Sequence, residues 1–115
     1  MTKAIQLTST DSASHNLYAL ILTEMNVTQL PQRVDLGAIF FPDFVQTVTF
    51  TLPLNQSGNS GESLSIQDQN GIEMTSVLPG IPYSISGKNN IISLQAIKIQ
   101  ASASGVVTDV AIVQS

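Results

Sequence analysis

His15 is the sequence's single imidazole, and the eight carboxylates Asp11, Glu24, Asp35, Asp43, Glu62, Asp68, Glu73 and Asp109 are its other natural candidates for acid–base work. An imidazole becomes a general base when a neighbour positions it. His15 instead stands in a polar run ahead of a helical pattern, where a solvated or capping role is commoner. The acids are dispersed, and no two have the close pairing that points to a glycosidase. The stretch Asp68-Gln69-Asn70-Gly71-Ile72-Glu73 opens like a calcium loop. It lacks the twelve-residue spacing, terminal Glu and flanking helices of such loops, and a β-turn accounts for the same residues. No Gly-rich phosphate loop, nucleophile elbow or His-Glu metal motif occurs. These patterns predict a non-enzymatic chain with no catalytic residue, no metal site and no cofactor.

Composition narrows the partners. Charged residues make up 10% of the chain and hydrophobic residues 43%, against roughly 25% charged in ordinary soluble domains. The surface must be built largely from Ser, Thr, Asn and Gln, and such neutral surfaces repel one another weakly. That favours packing among identical neighbours over solution enzymology. The net charge is −4, and the four cations Lys3, Arg33, Lys88 and Lys98 are scattered, so nucleic acid is not expected as a partner. Without cysteine there is no disulfide framework, which suits assembly in a reducing cytoplasm. The first residues lack the apolar core of a signal peptide, and no run approaches the ~20 apolar residues of a membrane span. The expectation is a soluble, non-secreted product with no membrane partner.

The elements that must position any site are short. Length predicts one domain over 1–115. Ile5 and Leu7 alternate in a first strand. Leu17, Tyr18, Ile21 and Met25 recur at helical spacing over Asn16 to Met25, with Ser14 or Asp11 available as N-cap. From Arg33, Val34, Leu36, Ala38 and Phe40 share one face of a predicted second strand. Val48, Phe50 and Leu52 alternate with Thr47, Thr49 and Thr51 in a half-buried strand. Asn55 to Gly61 holds nothing apolar and predicts an exposed flexible loop, either a surface tip or an arm to a neighbour. Asp68 to Gly71 predicts a hairpin turn between Leu64–Ile66 and Ile72–Met74. Ile81, Tyr83 and Ile85 alternate after the Pro79-Gly80 turn. The apolar phase slips near Ala96-Ile97, which predicts a bulge. The Val-rich run Val106 to Val113 predicts a strand buried on more than one face, as at a contact with another subunit. The sum is an all-β sandwich, jelly-roll or Greek-key like, of about eight strands with one short helix near the N-terminus.

The order of these features resembles that of small bacteriophage virion proteins of the head-decoration, cement or fibre-base type. A Thr/Ser-rich first strand, Ile5 to Thr10, leads to the short Asn16-Leu17-Tyr18-Ala19-Leu20 helix. Pro31-Gln32-Arg33-Val34, the Gly71 to Met74 hairpin, Asn90 to Leu94 and the closing Ser104 to Val113 follow in sequence. The resemblance implies a homotrimer on the virion's capsid surface, contacting the major capsid protein and stabilising the head. Phe41, Phe44 and Tyr83 are the candidate partner-contact residues, with Phe44 as anchor and Phe40 as core. The competing roles are a phage tail, baseplate or fibre structural protein and a virion-borne carbohydrate- or receptor-binding module. The second would normally show Trp or Tyr for stacking on sugars, and this chain has no Trp and two Tyr.

Overall fold

A computed structural model of the chain describes residues 2–24, 34–35, 39–40, 45–86 and 92–114. Ten strands and one α-helix are formed among them: β1 (Thr2–Thr8), β2 (Ser14–Asn16), α1 (Leu17–Glu24), β3 (Val34–Asp35), β4 (Ile39–Phe40), β5 (Val45–Thr51), β6 (Leu64–Asp68), β7 (Glu73–Val77), β8 (Tyr83–Ser86), β9 (Ile97–Ala101) and β10 (Val107–Gln114). Eight of the strands make two four-stranded sheets, ordered β1-β10-β5-β8 and β2-β9-β6-β7. Every ladder is antiparallel.

The pairing scheme decides between the two predicted sandwich types. With the β3/β4 ribbon set aside, the first strand pairs with the last (β1 with β10), the second with the second-last (β2 with β9), and so inward through β5 with β8 to the hairpin β6–β7. This is one long antiparallel hairpin rolled up so that successive pairs fall in alternate sheets. The fold is a jelly roll, one of the architectures that manage the sheet-edge problem by doubling the sheet.

Period-two alternation places the core between the sheets. Ile5, Val110, Phe50 and Tyr83 lie in one cross-strand row of the first sheet, and Ile112, Val48 and Ile85 in the next. They meet Leu64, Ile66, Ile97 and Ile99 of the second sheet in a single buried cluster. Each fully buried Leu, Ile, Val or Phe stabilises the fold by about 1.5–3 kcal/mol. Helix α1 closes one side, burying Leu17, Tyr18, Ile21 and Leu22. Its N-cap is Asn16, not Ser14 or Asp11: the Asn16 side-chain Oδ1 accepts the Ala19 N–H at 3.1 Å, and its Nδ2 donates to the Gln95 backbone carbonyl at 2.7 Å. Ser14 is instead a strand residue, paired with Gln100.

Three further expectations are corrected. The single strand from Arg33 to Phe40 is two short strands, because Val34 pairs antiparallel with Phe40 and the chain reverses between them. The phase slip at Ala96-Ile97 is no bulge but a 3-10 turn over Leu94–Ala96, which advances the chain before β9. The Val106 to Val113 run is buried on one face only within the chain: Val106, Thr108, Val110 and Ile112 are buried, whereas Val107, Ala111 and Val113 are half-buried and Asp109 is exposed. The predicted hairpin at Asp68 to Gly71 forms, with Gly71 at φ +79 and the Asp68 carboxylate accepting the N–H groups of Asn70 and Ile72. Ile72 and Met74, however, are exposed.

The Asn55 to Gly61 loop is exposed at Asn55, Ser57, Ser60 and Gly61, as expected, but a 3-10 turn over Ser57–Asn59 pins it to the fold at one residue. Asn59 is 1% exposed. Its side-chain amide pairs with the backbone of Val107 like a neighbouring strand, accepting the Val107 N–H at 2.8 Å and donating to the Val107 carbonyl at 2.9 Å. It donates as well to the Pro53 carbonyl at 2.9 Å. Beside it, a β-carbon on Gly58 would collide with the Gly105 carbonyl oxygen, so only glycine fits this backbone approach. Removing a side chain that satisfies buried backbone groups is costly. Asn59→Ala is therefore expected to lower the unfolding free energy by about 2–4 kcal/mol, while Asn55→Ala in the exposed part of the loop changes it by less than about 0.5 kcal/mol. Urea unfolding of both variants checks this, and equal midpoints would remove Asn59 from the scaffold.

Candidate functional site

Two features stand out once the sandwich is assembled: an apolar, charge-free end and a cavity under α1. The end is built where β5 leaves its sheet and the β7–β8 connection crosses back. Leu52 and Pro79 form a bridge, the Gly80 N–H donates to the Leu52 carbonyl at 2.9 Å, and the Ile81 N–H donates to the Leu78 carbonyl at 3.1 Å. These bonds hold three large apolar side chains outward, with Leu54 77%, Ile81 62% and Leu78 50% exposed. Leu54 lies over Gly80, where a β-carbon would stand 2.9 Å from its nearest methyl. Residues 52–61 and 74–86 contain no Asp, Glu, Lys or Arg. Clustered exposed apolar side chains of this kind mark contact surfaces in soluble proteins.

Of the contact residues proposed from sequence, Phe41 and Phe44 lie outside the described residues. Tyr83 is half-buried at the start of β8, cross-strand from Phe50 and packed against the core. The structure thus does not bring Tyr83 into the exposed apolar cluster as a protruding anchor. Sequence reasoning passed over Leu54 and Leu78 and put Ile81 in the strand with Tyr83 and Ile85, whereas β8 begins only at Tyr83 and Ile81 is exposed. The sign was available in Leu52-Pro53-Leu54 and Leu78-Pro79-Gly80-Ile81-Pro82, where large apolar residues sit inside turn segments that no strand face can bury.

The cavity has a volume near 190 Å³ and opens between the two sheets beside α1. Its walls include Leu7, Leu64, Ile99, Ala101 and Val106, with Thr108 from β10. At its rim the His15 Nε2 lies 2.7 Å from the Asp11 Oδ1. The same oxygen accepts the Ala13 N–H at 3.0 Å, an Asx turn that folds residues 11–13 back toward β2. Glu24 and Thr23 at the end of α1 complete the rim. Sequence reading treated His15 and Asp11 separately, because their four-residue spacing falls in a loop and carries no helical meaning there. Among the described residues no cluster of three or more His, Cys, Asp or Glu could hold a metal ion.

The outer faces of the sheets are mostly neutral, with Asp109 on the first and Lys98 and Glu73 on the second, and their polar side chains bond to one another. On the first sheet Ala4, Ala111, Thr49 and Ser84 form one cross-strand row of small side chains, with the Thr49 and Ser84 hydroxyls 2.8 Å apart. On the second, the Ser14 hydroxyl donates to the Gln67 Oε1 at 2.8 Å, and the Gln67 Nε2 donates to the Gln100 Oε1 at 2.9 Å. The Gln100 Nε2 then donates to the Ser12 carbonyl at 2.8 Å.

No protein-family model matches the chain, and no curated protein shows significant sequence similarity to it.

The hydrogen bond from His15, and then that from the Ala13 N–H, holds the Asp11 carboxyl below the usual aspartate range. A depressed carboxyl stabilises the fold above its unfolded-state value and loses that contribution as pH falls through its folded-state value. His15→Ala is expected to raise the Asp11 midpoint toward the ordinary range in a carbon-detected NMR titration of the side-chain carboxyl. An unchanged midpoint would mean that the pair does not persist in solution.

Proposed function

We propose that this chain is a structural protein of a bacteriophage virion that works by contact alone, decorating the head by binding the outer surface of the major capsid protein lattice. The observation that carries this reading is the braced apolar end formed by Leu54, Leu78 and Ile81. The backbone that carries Leu78 and Ile81 is held by hydrogen bonds within the end itself, so little backbone freedom is lost on docking. In a chain of net charge −4, segments without charged residues can pack against a partner surface without burying an unpaired charge. The jelly roll supports the reading as an architecture shared by viral capsid and lectin domains, although fold alone does not assign function. Repeated attachment of a homotrimer, as the resemblance to decoration proteins implies, would turn weak single contacts into durable binding. A tail or baseplate position would use the same surface and differs in where the protein sits in the particle.

The test mixes the purified chain with empty capsid shells of its phage and sediments them, with light scattering giving its oligomeric state. The chain is expected to form a stable oligomer, to co-pellet with shells, and to keep co-pelleting in high salt, because an apolar contact is not screened. The double substitution Leu54→Ser, Ile81→Ser is expected to weaken shell binding at least tenfold, since each buried side chain contributes about 1.5–3 kcal/mol. A chain that ignores shells argues for a tail component or ligand-binding module. Wild-type binding by the double variant would place the contact elsewhere on the molecule.

A further inference from the structure

We propose that the cavity beneath α1 is a binding site for a small amphipathic amine: an ammonium group, an apolar body about the size of one aromatic ring, and a hydroxyl at the far end. Each part answers to a group in the wall. The body fits by size and lining. The cavity is near 190 Å³, and a cavity of about 150 Å³ lined by aliphatic side chains is enough to take up benzene. Leu7 from one sheet and Leu64, Ile99 and Ala101 from the other supply that lining.

The far hydroxyl answers to Thr108. The inward row of β10 is Val106, Thr108, Val110 and Ile112, all buried, so one hydroxyl interrupts an otherwise aliphatic face. Thr108 is 2% exposed, and its hydroxyl makes no hydrogen bond to a described residue. Among the described residues every polar side-chain atom wholly shut off from solvent has a partner. The Thr108 hydroxyl therefore opens on the cavity that it lines. A valine would fill the same volume without leaving a polar group to be satisfied. A ligand hydroxyl supplies the missing partner.

The ammonium answers to the rim. Asp11 and Glu24 place two carboxylates there, and among the described residues neither has a Lys or Arg within salt-bridge distance. His15 engages one Asp11 oxygen, leaving the other free for a cation. An anionic ligand of the same size would meet like charge at the opening. The site is independent of the docking end, so its failure would leave the decoration reading untouched.

Tyramine, phenethylamine and 4-hydroxyphenylacetate separate the three requirements, with methyl resonances of Leu7, Ile99 and Val106 followed by NMR as each is added. Tyramine is expected to saturate the cavity methyls, phenethylamine to bind about five- to tenfold more weakly for want of one hydrogen bond, and the acid not to bind. Thr108→Val, which keeps the volume, is expected to erase the difference between the two amines. Glu24→Gln, on the exposed end of the helix, should weaken both about two- to threefold. Absence of any methyl shift at millimolar amine overturns the site. Equal binding of the acid overturns the role of the rim, and equal affinity of the two amines for the unsubstituted protein overturns the role of Thr108.

Discussion

The sandwich depends on one long-range constraint: the antiparallel pairing of its first and last strands, from Thr2 opposite Val113 to Thr8 opposite Val107. Until β1 meets β10, that sheet lacks the outer strand that carries Ile5 and Leu7, and α1 lacks one of the surfaces it packs on. Every other ladder of the rolled hairpin nests inside this one, down to the local β6–β7 hairpin that turns at Asp68 to Gly71. Such topology places most stabilising contacts far apart in sequence, which makes folding slow and leaves strands unpaired for longer. The β6–β7 hairpin needs the shortest loop closure and is the natural first contact.

The second theme is that neutral amides and hydroxyls do what charges do in most small domains. Asn59 supplies strand-like bonds to Val107, and Gln67 with Gln100 ties β2, β6 and β9 across one face. Ser9 holds the turn before β10 with its backbone and hydroxyl together: its N–H donates to the Val106 carbonyl, its carbonyl accepts the Gly105 N–H, and its hydroxyl donates to the Ala103 carbonyl while accepting the Val106 N–H. These bonds join residues 50 or more apart in several cases, and none needs an ion pair. A chain with 10% charged residues is thus not short of polar structure. It has moved that structure into groups that stay neutral at any physiological pH.

What was legible in the sequence followed from periodicity and turn chemistry. Val48 and Phe50 alternating with threonines marked β5, Asp68 to Gly71 marked its hairpin, and the stripe Leu17, Tyr18, Ile21 marked α1. The failures share a cause: a side chain standing in for backbone leaves no periodic trace. Asn59 looked like one more turn former among Gly and Ser, yet its amide acts as a strand partner. Asn16 ends a strand and caps a helix at once, so neither pattern alone reveals it. Jelly roll could not be told from another Greek key, because strand order lies in which distant runs meet and not in the runs themselves. The cavity was invisible for the same reason, although Thr108 amid Val106, Val110 and Ile112 is the residue that breaks the pattern.

The apolar end and the cavity share a scaffold. Leu54 belongs to the connection that Asn59 fastens to Val107, and the next residue along β10 is Thr108 in the cavity wall. Gly58 presses on Gly105, whose N–H is held by the Ser9 carbonyl, and Ser9 begins the loop that carries Asp11. Hydrogen bonds therefore tie the connection at Pro53 and Asn59 to Val107, and the turn at 102–106 to Ser9. Two sites on one such unit are coupled only so far as a ligand alters the unit itself. A small molecule that bonded to the Thr108 hydroxyl would break no backbone bond between these surfaces, so filling the cavity would stabilise the fold by mass action while leaving the apolar end in the same shape.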